Sequence, residues 1–99
     1  MIIYIDIDDT ICKLPTDSQD YSEATPIYDR IAKMNDLYNQ GHTIIYWTAR
    51  GTKSGIDWRA VTIEQFNRWL VKYSQMLFGK PVYDIFIDDK NINSNEYFK

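Results

Sequence analysis

Apolar positions fall along this chain in two rhythms. Residues 2–7 (IIYIDI) are β-branched and aromatic, unbroken until the first aspartate, as in a strand covered on both faces. Residues 43–47 (TIIYW) and 83–87 (YDIFI) repeat that pattern. Between them the spacing lengthens: Ile27, Ile31, Met34 and Leu37 fall four and three apart, one stripe on a helix. Thr25-Pro26 reads as an N-cap followed by proline at the first helical position, and Gly41 ends the helix. Ile63, Phe66, Leu70, Tyr73 and Leu77 give a second helical stripe, opened by Thr62 and Gln65 at capping-box spacing.

The remaining stretches are connections. Residues 12–24 (CKLPTDSQDYSEA) are polar and aperiodic, so residues 12–25 form a loop or flap. The run TARGTKSG closes the second strand with turn formers, and QMLFGKP is ambiguous between a helix end and a short strand. The tail KNINSNEYFK fits a short turn of helix. Strands alternating with helices imply β-α-β crossovers in one domain spanning residues 1–99. The expected architecture is a small Rossmann-like, three-layer α/β fold with a mainly parallel sheet of three to four strands.

Polar groups then collect where such sheets bind ligands, at the carboxyl ends of the strands. Asp6 and Asp8 follow the first strand, Thr48 the second, and Asp88 with Asp89 the last. Like charges this close disfavour ionisation unless a cation relieves them. Convergent carboxylates suit a hard, oxygen-seeking cation, and Mg²⁺ is the natural one. One cysteine and one histidine offer no zinc set, and His42 precedes a strand at the opposite end.

Composition narrows the setting. With 99 residues, 44% hydrophobic and 15% aromatic, the chain can bury one core. A net charge of −3, with acids and bases interspersed, gives no basic stripe for duplex nucleic acid. Cys12 is alone, which fits a reducing compartment. The first apolar run is too short and too acidic for a signal peptide or a membrane span, so a cytoplasmic protein is expected.

The same residues resemble the haloacid dehalogenase superfamily of phosphotransferases. IIYIDIDDTI resembles its first motif, an apolar strand followed by Asp-x-Asp-x-Thr. TIIYWT resembles the second, Lys80 the lysine of the third, and DIFIDD the fourth. Within the superfamily, EATPIYDRI, GHTIIYWTARG and FGKPVYDIFIDDKNIN are similar to small phosphatases associated with capsular polysaccharide biosynthesis. The resemblance implies a Mg²⁺-dependent phosphomonoester hydrolase working through an aspartyl-phosphate, with sugar phosphates favoured over nucleotides. Asp6 would be the nucleophile, and Asp8 would protonate the leaving oxygen and then deprotonate the hydrolytic water. Thr48 and Lys80 would hold the phosphoryl oxygens. Asp6, the Asp8 carbonyl and Asp88 would hold Mg²⁺, with Asp89 a further ligand or an acid just behind it.

Other readings compete. A receiver-like signalling domain also sets acids, Thr and Lys around Mg²⁺, but its acceptor aspartate stands alone after a central strand. A non-catalytic phosphate-binding module would not need both first-motif aspartates. Arg50 is a candidate substrate contact or a loop arginine paired with an acid; Lys53 reads as solvated. Trp47, Trp58 and Trp69 read first as core packing.

The length leaves room for a flap and minimal or no cap. The link at 81–83 is also short. If 76–79 climbs the sheet as a strand, three residues reaching about 10 Å must return to the bottom of 84–88. Either 76–79 is not a full strand, or the segment is exchanged between copies. A homodimer is one expectation, with 75–83 contributing across the interface, and Lys80 then completes either its own site or the other copy's.

Overall fold

The computed structural model describes residues 1–16 and 18–99; position 17 of the expected flap lies outside them. Strand β1 (Ile2–Ile5) pairs in parallel with β4 (Thr43–Trp47), Ile2 opposite Thr43 and Ile5 opposite Tyr46. On the other side of β4, β5 (Gln75–Leu77) pairs in parallel, Ile45 opposite Gln75. The sheet order is thus β1-β4-β5, with β1 at an edge. Helix α1 (Tyr28–Asn39) connects β1 to β4, and α2 (Arg59–Arg68) connects β4 to β5. This is the Rossmann-like α/β arrangement with a parallel sheet that the alternating pattern predicts.

Both helices bury their stripes on one face of the sheet. Ile31 and Met34 of α1, and Phe66 of α2 with Trp69 at its end, join Ile5, Ile44 and Tyr46 in a single core. Tyr46 meets Phe66 edge-on at 4.9 Å between ring centres. Ile44 is fully buried, worth about 1.5–3 kcal/mol relative to exposure. The opposite face is different. Tyr4 is 58% exposed and Ile2 70%, so β1 is not covered on both faces as its sequence implies. Ile45 of β4, on that same face, is buried.

Several local expectations change. Thr25-Pro26 does not cap α1. It forms strand β3, antiparallel to β2 (Cys12–Lys13), and Ile27 stands at the helix start with no side-chain cap. The Ile27 N–H instead donates to the Ile11 carbonyl at 2.8 Å. The flap is therefore partly structured, with a turn of 3₁₀ helix at Tyr21–Glu23. Helix α2 starts at Arg59, before Thr62, and ends at Arg68. Leu70 then adopts φ 58° and is exposed, so the longer stripe to Leu77 is broken and Leu77 belongs to β5. A short helix α3 (Ser94–Tyr97) closes the chain.

The largest departure is residues 83–87. They form no strand, and Tyr83, Ile85, Phe86 and Ile87 are all exposed. Their sequence suits a strand; their attachment denies them a place, because Lys80 is pinned at the carboxyl end of the sheet by its N–H to the Thr48 carbonyl at 3.1 Å.

Candidate active site

At the carboxyl end of β1 the chain turns sharply. Asp9 takes φ 61°, and the N–H groups of Thr10 and Ile11 both donate to the Ile7 carbonyl. The turn buries Ile7 and Ile11 and leaves Asp6 and Asp8 at the mouth of the sheet. Lys80 arrives there from the far side of β4: Gly79, at φ 85°, turns the chain after β5. Thr52 Oγ1 donates to the Lys80 carbonyl at 2.8 Å, adding to the Thr48 bond. Lys80 Nζ then lies 3.5 Å from Asp6 Oδ1 in the same chain. An exchange that carries Lys80 to another copy is therefore not what this arrangement shows; β5 and Lys80 belong to their own sheet.

Burial pushes the Asp6 carboxyl above its ordinary value. The Lys80 charge and the Ile7 N–H pull it back down, and neighbouring Asp8 pushes it up. A partly desolvated carboxylate facing an ammonium is a nucleophile beside a place for an anion.

Asp8 sits in a different environment. Its Oδ2 accepts from Arg50 Nε at 3.0 Å and its Oδ1 from Arg50 Nη2 at 2.9 Å, a bidentate pair. Arg50 Nη1 donates to Thr62 Oγ1 at 3.0 Å and Gln65 Oε1 at 2.6 Å, and Nη2 approaches Cys12 Sγ at 3.7 Å. A guanidinium has five N–H donors, and these five acceptors use them all. The Arg50 side chain is fully buried and its Cζ lies 5.0 Å from the Tyr21 ring centre. Of the two readings of Arg50, the geometry matches pairing with an acid, Asp8, and not a free substrate contact. The Cys12 thiol, 3.5 Å from Asp8 Oδ1, is pushed up to about 12 by burial and by the Asp8 charge.

Thr48, just past β4, is buried, and its Oγ1 accepts the Arg50 N–H at 3.1 Å. The loop beyond it is tight. A Cβ on Gly51, at φ 83°, would collide with the Ile56 carbonyl oxygen. Thr62, Gln65, Cys12 and Tyr21 are the residues that sequence reasoning missed. Thr62 and Gln65 share a helix face at the spacing of a capping box, and that shared spacing concealed their role.

Asp88 and Asp89 are not brought to this site. Both are exposed on the segment outside the sheet, and Asp88 Oδ2 accepts only the Lys90 N–H, at 3.1 Å, among the described residues. Mg²⁺ takes about six oxygens, usually with carboxylates among them. Here Asp6 faces Lys80 and Asp8 faces Arg50, and no group of three or more His, Cys, Asp or Glu is placed to hold a metal among the described residues. Of the expected Mg²⁺ set, one chain places Asp6 at this site and does not bring Asp88 or Asp89 to it. A shallow depression of about 370 Å³ along α2 is lined by Ser22, Ala60, Val61, Glu64, Gln65 and Arg68, and not by Asp6, Asp8, Thr48 or Lys80.

The fold has a counterpart. The chain is similar to a crystal structure of a target protein from Vibrio cholerae, with a TM-score of 0.85 and 23% identity, covering 98% of this chain and 86% of that one. That likeness shows the fold. No family model and no curated protein matches. No helix among the described residues is long and apolar enough to cross a membrane.

Proposed function

We propose that this protein is a phosphomonoester hydrolase of the haloacid dehalogenase type, acting on a small phosphorylated metabolite, sugar phosphates before nucleotides. The observation that carries it is the Asp6–Lys80 pair, 3.5 Å apart at the carboxyl end of a parallel sheet. Lys80 holds a phosphoryl oxygen and offsets its charge, which lets an anionic carboxylate approach an anionic ester. The Asp6 oxygen attacks phosphorus, the ester P–O bond breaks, and the leaving oxygen takes a proton. Water then adds to phosphorus, releasing inorganic phosphate and restoring Asp6. Splitting one displacement into two is the gain of covalent catalysis.

Thr48 contributes its hydroxyl hydrogen, which its contact with the Arg50 N–H leaves available. Asp8 is the candidate acid and base, and Arg50 positions it; proton transfer requires one of its oxygens to turn from Arg50 to the substrate. No step is routed through a metal.

Turnover of p-nitrophenyl phosphate tests this reading. Asp6→Asn should abolish it with the fold intact by circular dichroism. Residual turnover within about tenfold of wild type, far above the loss expected without the nucleophile, removes Asp6 from that role.

A further inference from the structure

Residues 81–93 leave the body of the molecule between two anchors. Lys80 is fixed to Thr48 and Thr52. Beyond the segment, α3 docks on α1, where Arg30 Nη2 donates to Asn95 Oδ1 at 3.0 Å and Lys33 Nζ to the Tyr97 carbonyl at 3.2 Å. Between the anchors lies YDIFI, a strand sequence in water: Ile85 is 77% exposed and Ile87 92%. Contiguous exposed apolar residues of this kind mark an interaction surface.

The sheet has a matching gap. No strand pairs with the outer edge of β1 among the described residues. Setting Asp88 beside Asp6 in parallel pairs Ile87 with Ile5, Phe86 with Tyr4 and Ile85 with Ile3. The side-chain period of two then places Ile85 and Ile87 on the helix-covered face of Ile3 and Ile5, and Phe86 beside exposed Tyr4.

The chain cannot extend its own strand to the foot of β1. Lys80 is bonded to Thr48, five residues above Thr43, which lies opposite Ile2. From there to the foot of a strand beyond β1 is about 16 Å down and about 10 Å across, close to 19 Å in a straight line. Asp84, the partner of Ile2 in this register, is four residues from Lys80 and can reach at most about 14 Å.

We propose that a second copy of this chain supplies the strand. Its residues 83–87 pair with the outer edge of β1, and its Asp88 and Asp89 arrive beside Asp6. The exchange is reciprocal and makes two equal sites, as closed symmetry requires. Each site takes Asp6, Asp8, Thr48 and Lys80 from one copy and Asp88 with Asp89 from the other. The α3 helix goes with the strand, trading its seat on α1 for the equivalent seat on the second copy. The added carboxylates would complete the oxygen set expected for a hard cation such as Mg²⁺. The strand exchange rests on chain geometry alone; the metal role of the two acids rests on the phosphatase reading above.

The test is complementation. Chains carrying Asp6→Asn and chains carrying Asp88→Asn are coexpressed and assayed with p-nitrophenyl phosphate and Mg²⁺. Random pairing makes about half the dimers mixed, each with one site holding both native acids, so activity should return to about a quarter of wild type from background in either variant alone. A mixture that stays at background overturns the exchange, and an Asp88→Asn protein with wild-type turnover overturns the role of that acid. If the wild type itself has no phosphatase activity, the phosphatase reading fails and mass decides the exchange. Wild type should then scatter light at twice the 11.8 kDa of one chain. Ile85→Pro, which removes a ladder N–H where the single chain has no strand, should reduce it to the single-chain mass. A wild type of single-chain mass at assay concentration, or a dimeric Ile85→Pro protein, overturns the exchange.

Discussion

Thr43–Trp47 and residues 83–87 carry nearly the same chemistry: two isoleucines, a tyrosine, a second aromatic residue and one polar residue each. The first lies at the centre of the sheet with Ile44, Ile45 and Tyr46 buried, and the second is exposed along its length. The residues just beyond the two segments differ as sharply. Arg50, three residues past β4, is locked by five acceptors, whereas Asp88 accepts only from the backbone of Lys90 among the described residues. Composition states what a segment needs; the connection decides whether its own chain can provide it. Helix α1 delivers Thr43 to the foot of the sheet, while Lys80 holds the later segment at the top.

The two regions should differ most in the residues that come after each apolar run. Arg50→Ala strands Asp8, Thr62 and Gln65 together and should cost about 3–5 kcal/mol of unfolding free energy. Lys90→Ala should stay within about 0.5 kcal/mol. Urea denaturation of both variants measures the contrast, and similar losses would mean that Arg50 is not the fastener its hydrogen bonds describe.

Within the apolar runs themselves the effect is next in size. Ile44→Ala should cost about 2–5 kcal/mol at any protein concentration, as a buried deletion does. Ile87→Ala should cost nothing measurable in dilute solution and lower the melting temperature only at concentrations where copies associate. A concentration-independent loss at Ile87 would place it in a core of its own chain.

A smaller effect is expected at Asp6. Burial holds its carboxyl above the ordinary value, so the native chain binds that proton more tightly than the unfolded chain does. Stability from this group is therefore full below the unfolded value of about 3.9 and is lost as pH rises through the raised native value. In chelator-containing buffer, Asp6→Asn should melt higher than wild type by a margin that opens across this window and then stays constant. A margin that shrinks as pH rises would show that Lys80 outweighs burial.

Much of the arrangement was legible in the residues. Continuous apolar runs marked β1 and β4, the stripe of Ile31 and Met34 marked α1, and polar groups at strand ends marked Asp6 and Thr48, while Lys80 came only from the resemblance to a third motif. Where reading failed, one local signal served two structures. Thr62 and Gln65 have the spacing of a capping box, which is also the spacing of two side chains gripping one guanidinium from a helix face. Thr25-Pro26 has the form of a cap, but the two residues pair with Cys12–Lys13 and the helix starts after Ile27. Residues 83–87 have the pattern of a strand, and pattern carries no information about reach.

The phosphatase reading stands or falls on Asp6 attacking phosphorus, and trapping the intermediate decides it. Wild-type protein turning over p-nitrophenyl phosphate is quenched in acid, digested and analysed by mass spectrometry. Phosphate should be found on the peptide containing Asp6, labile to neutral hydroxylamine as an acyl phosphate is, and absent from Asp6→Asn. Phosphate carried on another residue, or active turnover with no trapped phosphate at any quench time, would contradict it.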